Sequence, residues 1–247
     1  MRLRCYRRHA VAILLVGWGA VIAWLAWSAW HKSKEDRVLS QVSDRGGLWE
    51  TWSSSDLQTF FLKKGRVCFL DLRRCRIDAE MLRSLYHLQF ASIVDLSECG
   101  LSDRDFREFR GPARVKRLRL DGNPLTDQSV NKICEYTNIR ILQLRETQIG
   151  NIGLESISKL PLLEQIDLSG TNVTSSGISN LQNIKGLTTL NLSNTKVDDE
   201  AVDFLAHMKS LTTLTLDGTR LTEEGYDELR LSLPSTHIFF RGQREEQ

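Results

Sequence analysis

No Cys-x-x-Cys pair joins any of the five cysteines (Cys5, Cys68, Cys75, Cys99 and Cys134), and the five histidines are scattered. The ligand spacing of a metal site is therefore missing. No serine, histidine and aspartate fall into a nucleophile motif, and there is no glycine-rich phosphate loop. Without a reactive set, the chain reads as a non-enzyme that needs no cofactor. Charge of one sign is also scarce. The whole chain carries +2, but Arg2, Arg4, Arg7 and Arg8 lie in its first nine residues, which hold no acid. Beyond them, 29 basic side chains face 31 acidic ones, a net of −2. A general affinity for nucleic acid does not follow. The local basic cluster of Arg114, Lys116, Arg117 and Arg119 does not change that balance.

What is present begins with an apolar run. Residues 10–30, AVAILLVGWGAVIAWLAWSAW, contain no charge and as a helix would reach ~31 Å, the depth of a bilayer's hydrocarbon core. Trp24, Trp27 and Trp30 gather at its end, where indole rings favour the membrane interface, and His31, Lys32 and Lys34 follow. The reading is a basic cytoplasmic tail (1–9), a transmembrane signal-anchor helix (10–30) and a linker (31–34). Four arginines before the span set the N-terminus in the cytoplasm and the rest of the chain outside it. A cleaved signal peptide is the alternative, with Ala26-Trp27-Ser28 as its small-residue site.

Residues 35–66 read as an N-terminal cap. Val38, Leu39 and Val42 share one helical face, Gly46-Gly47 stops that helix, and Leu48 to Trp52 reads as a short strand. Ser53 to Asp56 then offer N-caps for a helix through Leu57, Phe60, Phe61 and Leu62.

From Val67 to Pro234 the chain repeats every 24 residues without insertion, giving seven units that begin at Val67, Ala91, Val115, Ile139, Leu163, Leu187 and Leu211. A fixed period of this length marks stacked supersecondary units. Positions four and six of each unit are apolar, from Leu70/Leu72 to Leu214/Leu216, which is strand periodicity with one face buried. Position eleven is apolar as well. Positions sixteen, nineteen and twenty-two, as in Leu154/Ile157/Leu160, then mark one face of a short helix. Position twelve carries N-caps such as Asp78, Ser102, Thr126 and Thr222, with Gly150 as the exception. Position fifteen is small in most units, which predicts helix backbone lying close to the sheet, with looser packing in the first two units, where it is Met81 and Asp105. Gly122, Gly170 and Gly218 sit at the turn after the strand in every second unit. Ile238 and Phe240 fall at positions four and six of an eighth strand, so residues 235–247 read as a terminal strand and polar cap. Stacked, the units form a parallel sheet with helices outside it and one core.

The pattern LxxLxLxxTx(V/L)(T/D), followed by a short amphipathic helix, resembles the leucine-rich repeats over residues 67–240, particularly bacterial arrays with 24-residue units. The resemblance implies an α/β solenoid with parallel strands on the concave face and short helices on the convex one. It also implies that position nine (Cys75, Cys99, Asn123, Thr147, Thr171, Thr195, Thr219) hydrogen-bonds neighbouring loops. The cysteines are similar to those of repeats found beside F-box motifs, although no F-box precedes Val67. Cys75 and Cys99 occupy one position in adjacent strands, ~5 Å apart, but point in parallel, so free thiols are expected rather than a disulfide.

Function should lie at the strand positions that are not core. In the first four units these present Phe69, Asp71, Arg73, Ile93, Asp95, Arg117, Arg119, Ile141, Gln143 and Arg145. Exposed Phe and Ile beside Arg have the composition of contact anchors, unlike the Ser and Thr of the later units. The aspartates of position five (Asp71, Asp95, Asp167) read as a solvated face, too few for calcium. The expectation is a membrane-anchored module that binds a protein or peptide partner on its concave surface. An anchored structural protein without a ligand is the alternative.

Overall fold

The computed structural model describes Trp30, residues 32–51 and residues 67–241 of the chain. The expected span at 10–30 lies outside these residues except for Trp30, as do the expected helix at 53–62 and the polar end at 242–247. Among the described residues, no helix is long and apolar enough to cross a membrane.

Among the described residues, nine strands form one sheet in chain order. Strand β1 (Leu48–Thr51) runs antiparallel to β2 (Val67–Asp71), with a register shift between Glu50 and Thr51. From β2 onward every pair is parallel: β3 (Ile93–Asp95), β4 (Arg117–Arg119), β5 (Ile141–Gln143), β6 (Gln165–Asp167), β7 (Thr189–Asn191), β8 (Thr213–Thr215) and β9 (His237–Phe239). Each residue pairs with the one 24 positions on, as Leu70 with Val94 and Val94 with Leu118. The sequence period is thus the sheet register. Positions four and six are buried through the seven units, and Ile238 and Phe240 pack partly buried at the end. Each fully buried Leu or Ile contributes ~1.5–3 kcal/mol, so the stacked interior supplies most of the stabilisation.

A helix over residues 32–44 covers the first unit. Val38 and Val42 are buried in the common core, Leu39 packs against it, and Arg45 pairs with Asp78 at 2.5 Å. At the far end Tyr226 stacks on Phe240 with ring centroids 5.0 Å apart. The first two units are not loosely packed. Met81 is fully buried, and Phe106 and Phe109 stack 4.9 Å apart in the interior of the second unit. Asp105 closes a capping box with Ser102, whose side chain accepts from the Asp105 N–H.

Three details replace simpler expectations. First, small residues at position fifteen make room for the preceding unit's position thirteen, not for the sheet: a Cβ at Gly153, Gly177 or Gly225 would collide with Asp127, Asn151 or Asp199. These side chains cap the next helix. Asp127 accepts from the Gly150 N–H at 2.7 Å, Asn151 from Thr174 N–H at 3.0 Å and Asp199 from Thr222 N–H at 2.8 Å. Gly150, which has no side chain for capping, is thereby served by its neighbour. Second, position nine divides by residue type. Asn123 donates to the carbonyls of Leu96 and Leu120 and accepts from the N–H groups of Cys99 and Leu101, and Cys99 Sγ donates to Leu72 O at 3.0 Å. The threonines instead donate to their own unit, as Thr147 to Leu144 O and Thr195 to Leu192 O. Third, position eight is left-handed in all seven units: Arg74, Glu98, Gly122, Glu146, Gly170, Asn194 and Gly218 have φ from 54° to 68°. Glycine alternates there because a long side chain lies over the next turn. A Cβ on Gly122 would meet Glu98 Cγ at 3.0 Å, and one on Gly170 would meet Glu146 Cγ at 3.2 Å.

Candidate binding surface on the concave sheet

Parallel in-register stacking turns each outward strand position into a row across units. Position three gives Phe69, Ile93, Arg117 and Ile141 in sequence, each pair in register and each half-buried. Position five gives Asp71, Asp95, Arg119 and Gln143. Position seven, in the turn beyond, gives Arg73, Ser97, Asp121 and Arg145. All ten residues expected from the sequence therefore lie in these three rows.

They do not all face solvent, which corrects the expectation. Asp95 is completely buried and Asp71 is 7% exposed. Arg73 covers Asp71, its Nη2 donating to Oδ2 at 2.7 Å, and its Nε lies 3.5 Å from Asp95. Arg119 donates to Asp95 Oδ2 at 3.1 Å through Nη1 and to Gln143 Oε1 at 2.6 Å through Nε. Asp95 Oδ1 also accepts from the Ser97 N–H at 3.1 Å. This chain of charge-assisted bonds crosses four units, and buried carboxylates need such partners. The hydrogen bond from Arg73 holds the Asp71 carboxyl below its usual range. Position five is thus a cross-strand clamp and not a solvated face.

The free anchors are in row three. The Arg117 side chain makes no hydrogen bond or ion pair among the described residues, and it stands between Ile93 and Ile141. In the turn row, Arg145 is exposed and reaches Glu146, its Nη2 at 3.1 Å. Together with Arg73, Glu98, Arg119 and Gln143, the turn row lines an open depression of about 350 Å³. Two of its residues, Ser97 and Asp121, were not among those expected from the sequence, although the period that places Arg73 and Arg145 there places them too.

The later units present a different surface. Ser169 donates to Asp167 and Ser193 to Asn191, each within its own unit, at 2.6 and 2.7 Å. The cysteines do not contribute to the face. Cys75 Sγ donates to Arg73 O at 3.6 Å and Cys99 Sγ to Leu72 O, and burial pushes the Cys99 thiol up to about 12. Among the described residues no three His, Cys, Asp or Glu side chains converge as a metal site would require.

Short parallel strands, a left-handed turn, a capped helix and a single ordered sheet define a leucine-rich-repeat solenoid. The family model described as Leucine Rich repeat matches residues 137–158 and 187–206. Among solved structures, the chain is similar to internalin C2 from Listeria monocytogenes, with TM-score 0.55 and 22% identity over 73% of this chain and 75% of that one. It is similar to a second internalin of that organism, InlF, with TM-score 0.50 and 20% identity, over 68% of this chain and 52% of that one. The mouse RP105/MD-1 complex gives TM-score 0.52 and 25% identity, covering 63% of this chain and 26% of that one. This chain thus spans about half of InlF and a quarter of the mouse chain. No curated protein matches it in sequence. These likenesses carry the fold.

Proposed function

We propose that the protein is a membrane-anchored module whose concave surface, in its first four units, binds a protein or peptide partner. The observation that carries this reading is row three. An unpaired guanidinium, Arg117, lies between two half-buried isoleucines, with Phe69 at the end of the row. Arginine and aromatic side chains in a partly desolvated setting are what binding anchors are made of. The solved mouse relative is a complex, RP105 with MD-1, which agrees with an interaction role for the fold. The anchor is residues 10–30, with the N-terminus cytoplasmic and the repeats outside, supported by the uncharged run and its flanking arginines.

A photo-crosslinking residue placed at Ile141 of the full chain, in the producing cell, tests the surface. A discrete adduct with another protein at Ile141, lost in Arg117→Ser and absent when the probe is at Thr213, is the expected result. An anchored structural protein without a ligand is favoured by the self-satisfied Ser, Thr and Asn of the later units, and adducts with itself alone would establish that reading instead. Protease treatment of intact cells tests the anchor: digestion of the repeats from outside is expected, and a protected or released repeat domain would refute the topology.

A further inference from the structure

The array has two long edges of opposite charge. In every unit the helix returns to the next strand through positions twenty to twenty-four and the first two of the following unit. These return turns stack side by side: the Lys116 N–H donates to Ser92 O and the Arg140 N–H to Lys116 O, both at 2.8 Å. Along this edge, from residues 86–92 to residues 230–236, eight basic side chains face two carboxylates, Glu135 and Glu164. Along the opposite edge, at positions seven to thirteen, ten carboxylates face six basic side chains. Arg110, Arg114, Lys116, Lys185 and Lys209 are exposed on the basic edge, and none of them forms an ion pair among the described residues.

The uncharged run ends on this same edge. Trp30, its last residue, is helical, as are residues 32–44. That helix lies antiparallel to the first unit's helix. Trp30 is edge-on to His87, with ring centroids 6.4 Å apart, whereas Arg45 past the other end pairs with Asp78. His87 belongs to the return turns and Asp78 to the acidic edge. Trp30 and Tyr86 are 53% and 45% exposed there, and Lys34 Nζ stands 5.5 Å from the Trp30 ring centroid. Arg114, over the Phe90 ring at 5.3 Å, continues the pairing of cation and ring into the second unit. Amphipathic aromatic rings and cations are what a membrane–water interface collects.

We propose that the basic edge lies on the bilayer and binds its anionic lipid headgroups, so that the array rests along the membrane. This rests on the reading of residues 10–30 as a span. The place where that span ends selects the occupant. Chain leaving the bilayer at Trp30 brings the return turns to the headgroups and carries the acidic edge away from them. Cations within a Debye length of an anionic leaflet are drawn to it, and carboxylates beyond that length are little repelled. The strands then stand off the bilayer, and row three stays open to a partner.

Lysine acetylation read by mass spectrometry tests the edge on the full chain reconstituted in nanodiscs. Discs of phosphatidylcholine alone are compared with discs of equal phosphatidylcholine and phosphatidylglycerol. Lys116, Lys185 and Lys209 report the basic edge, and Lys196, exposed on the acidic edge, is the internal control. Acetylation of the three is expected to slow roughly threefold or more with phosphatidylglycerol, while Lys196 is unchanged. The protection should vanish in about 1 M salt, where the screening length falls to ~3 Å. Equal rates in the two lipids, or equal slowing at Lys196, would overturn the proposal. Slowing by added poly-glutamate but not by phosphatidylglycerol would assign the edge to an acidic protein and overturn it as well. Co-elution of the chain with phosphatidylcholine discs reads the anchor separately. Co-elution with equal acetylation rates removes only this edge. A chain released from phosphatidylcholine discs, yet held and protected by phosphatidylglycerol, removes only the anchor.

Discussion

At the scale of single residues, two carboxylates in the same row system behave in opposite ways. Asp71 is held ionised by Arg73, so its contribution to stability is present above the ordinary carboxylate range and is lost as pH falls through its depressed folded value. Asp121 is the reverse. Its folded pKa of about 6 lies above the 3.8 of an ordinary aspartate, so the folded state binds a proton more tightly between those values and stability falls as pH rises across them. Asp121→Asn is therefore expected to stabilise the chain at pH 8 by ~1–2 kcal/mol, a gap that closes toward pH 4, as chemical denaturation at the two pH values would measure. Arg119 has the opposite expectation. It was read from the sequence as a contact residue, but it covers the fully buried Asp95. Arg119→Ser should cost ~1–3 kcal/mol, because it leaves the buried Asp95 carboxylate with only Arg73 at 3.5 Å and the Ser97 N–H as partners, and the measure is the denaturation midpoint of the purified variant. A variant of unchanged midpoint would show that Asp95 does not depend on this clamp.

At the scale of elements, from the third unit on each unit's helix starts on a side chain borrowed from its predecessor. The N-caps at position twelve were legible because Ser, Thr and Asp stand directly before an apolar period. The caps from position thirteen were not, since they act on residues 23 positions away and only stacking brings the two together. The same stacking explains why Gly153, Gly177 and Gly225 must be small. Asp127→Ala tests this at its weakest point, the helix Asn151–Ile157, whose N-cap is Gly150. A loss of ~1 kcal/mol is expected, within the usual worth of a cap, with amide exchange in Asn151–Ile157 accelerating before that of other helices. Uniform acceleration across the array would argue against a local capping role.

For the whole molecule, stability is a sum over neighbours, so an exposed end is a weakness. The helix at 32–44 covers the first unit with Val38 and Val42. Val42→Asp should therefore cost several kcal/mol, of the order of burying an unpaired charge, and unprotect β2 and β3 to hydrogen exchange before β7 and β8. Loss of protection that begins at β8 would contradict the covering role. The two halves of the concave sheet also separate at this scale. Early rows interlock through charges that cross units, whereas later rows close their hydrogen bonds within one unit.

The amino-acid sequence by itself determined the solenoid. A 24-residue period with apolar positions four, six and eleven has one solution that buries all of them, and the strands register at that same step. It also placed every candidate residue in the correct row. It could not decide which of those residues is free to bind. Asp95, Arg119 and Gln143 are each 24 apart, and their closure into a clamp depends on side-chain reach across strands, as does the isolation of the Arg117 side chain. Partnership between charges is a short-range property of three-dimensional neighbours, and periodicity records only which face a side chain is on. Tertiary structure alone separated the residues that hold the sheet from those left open above it.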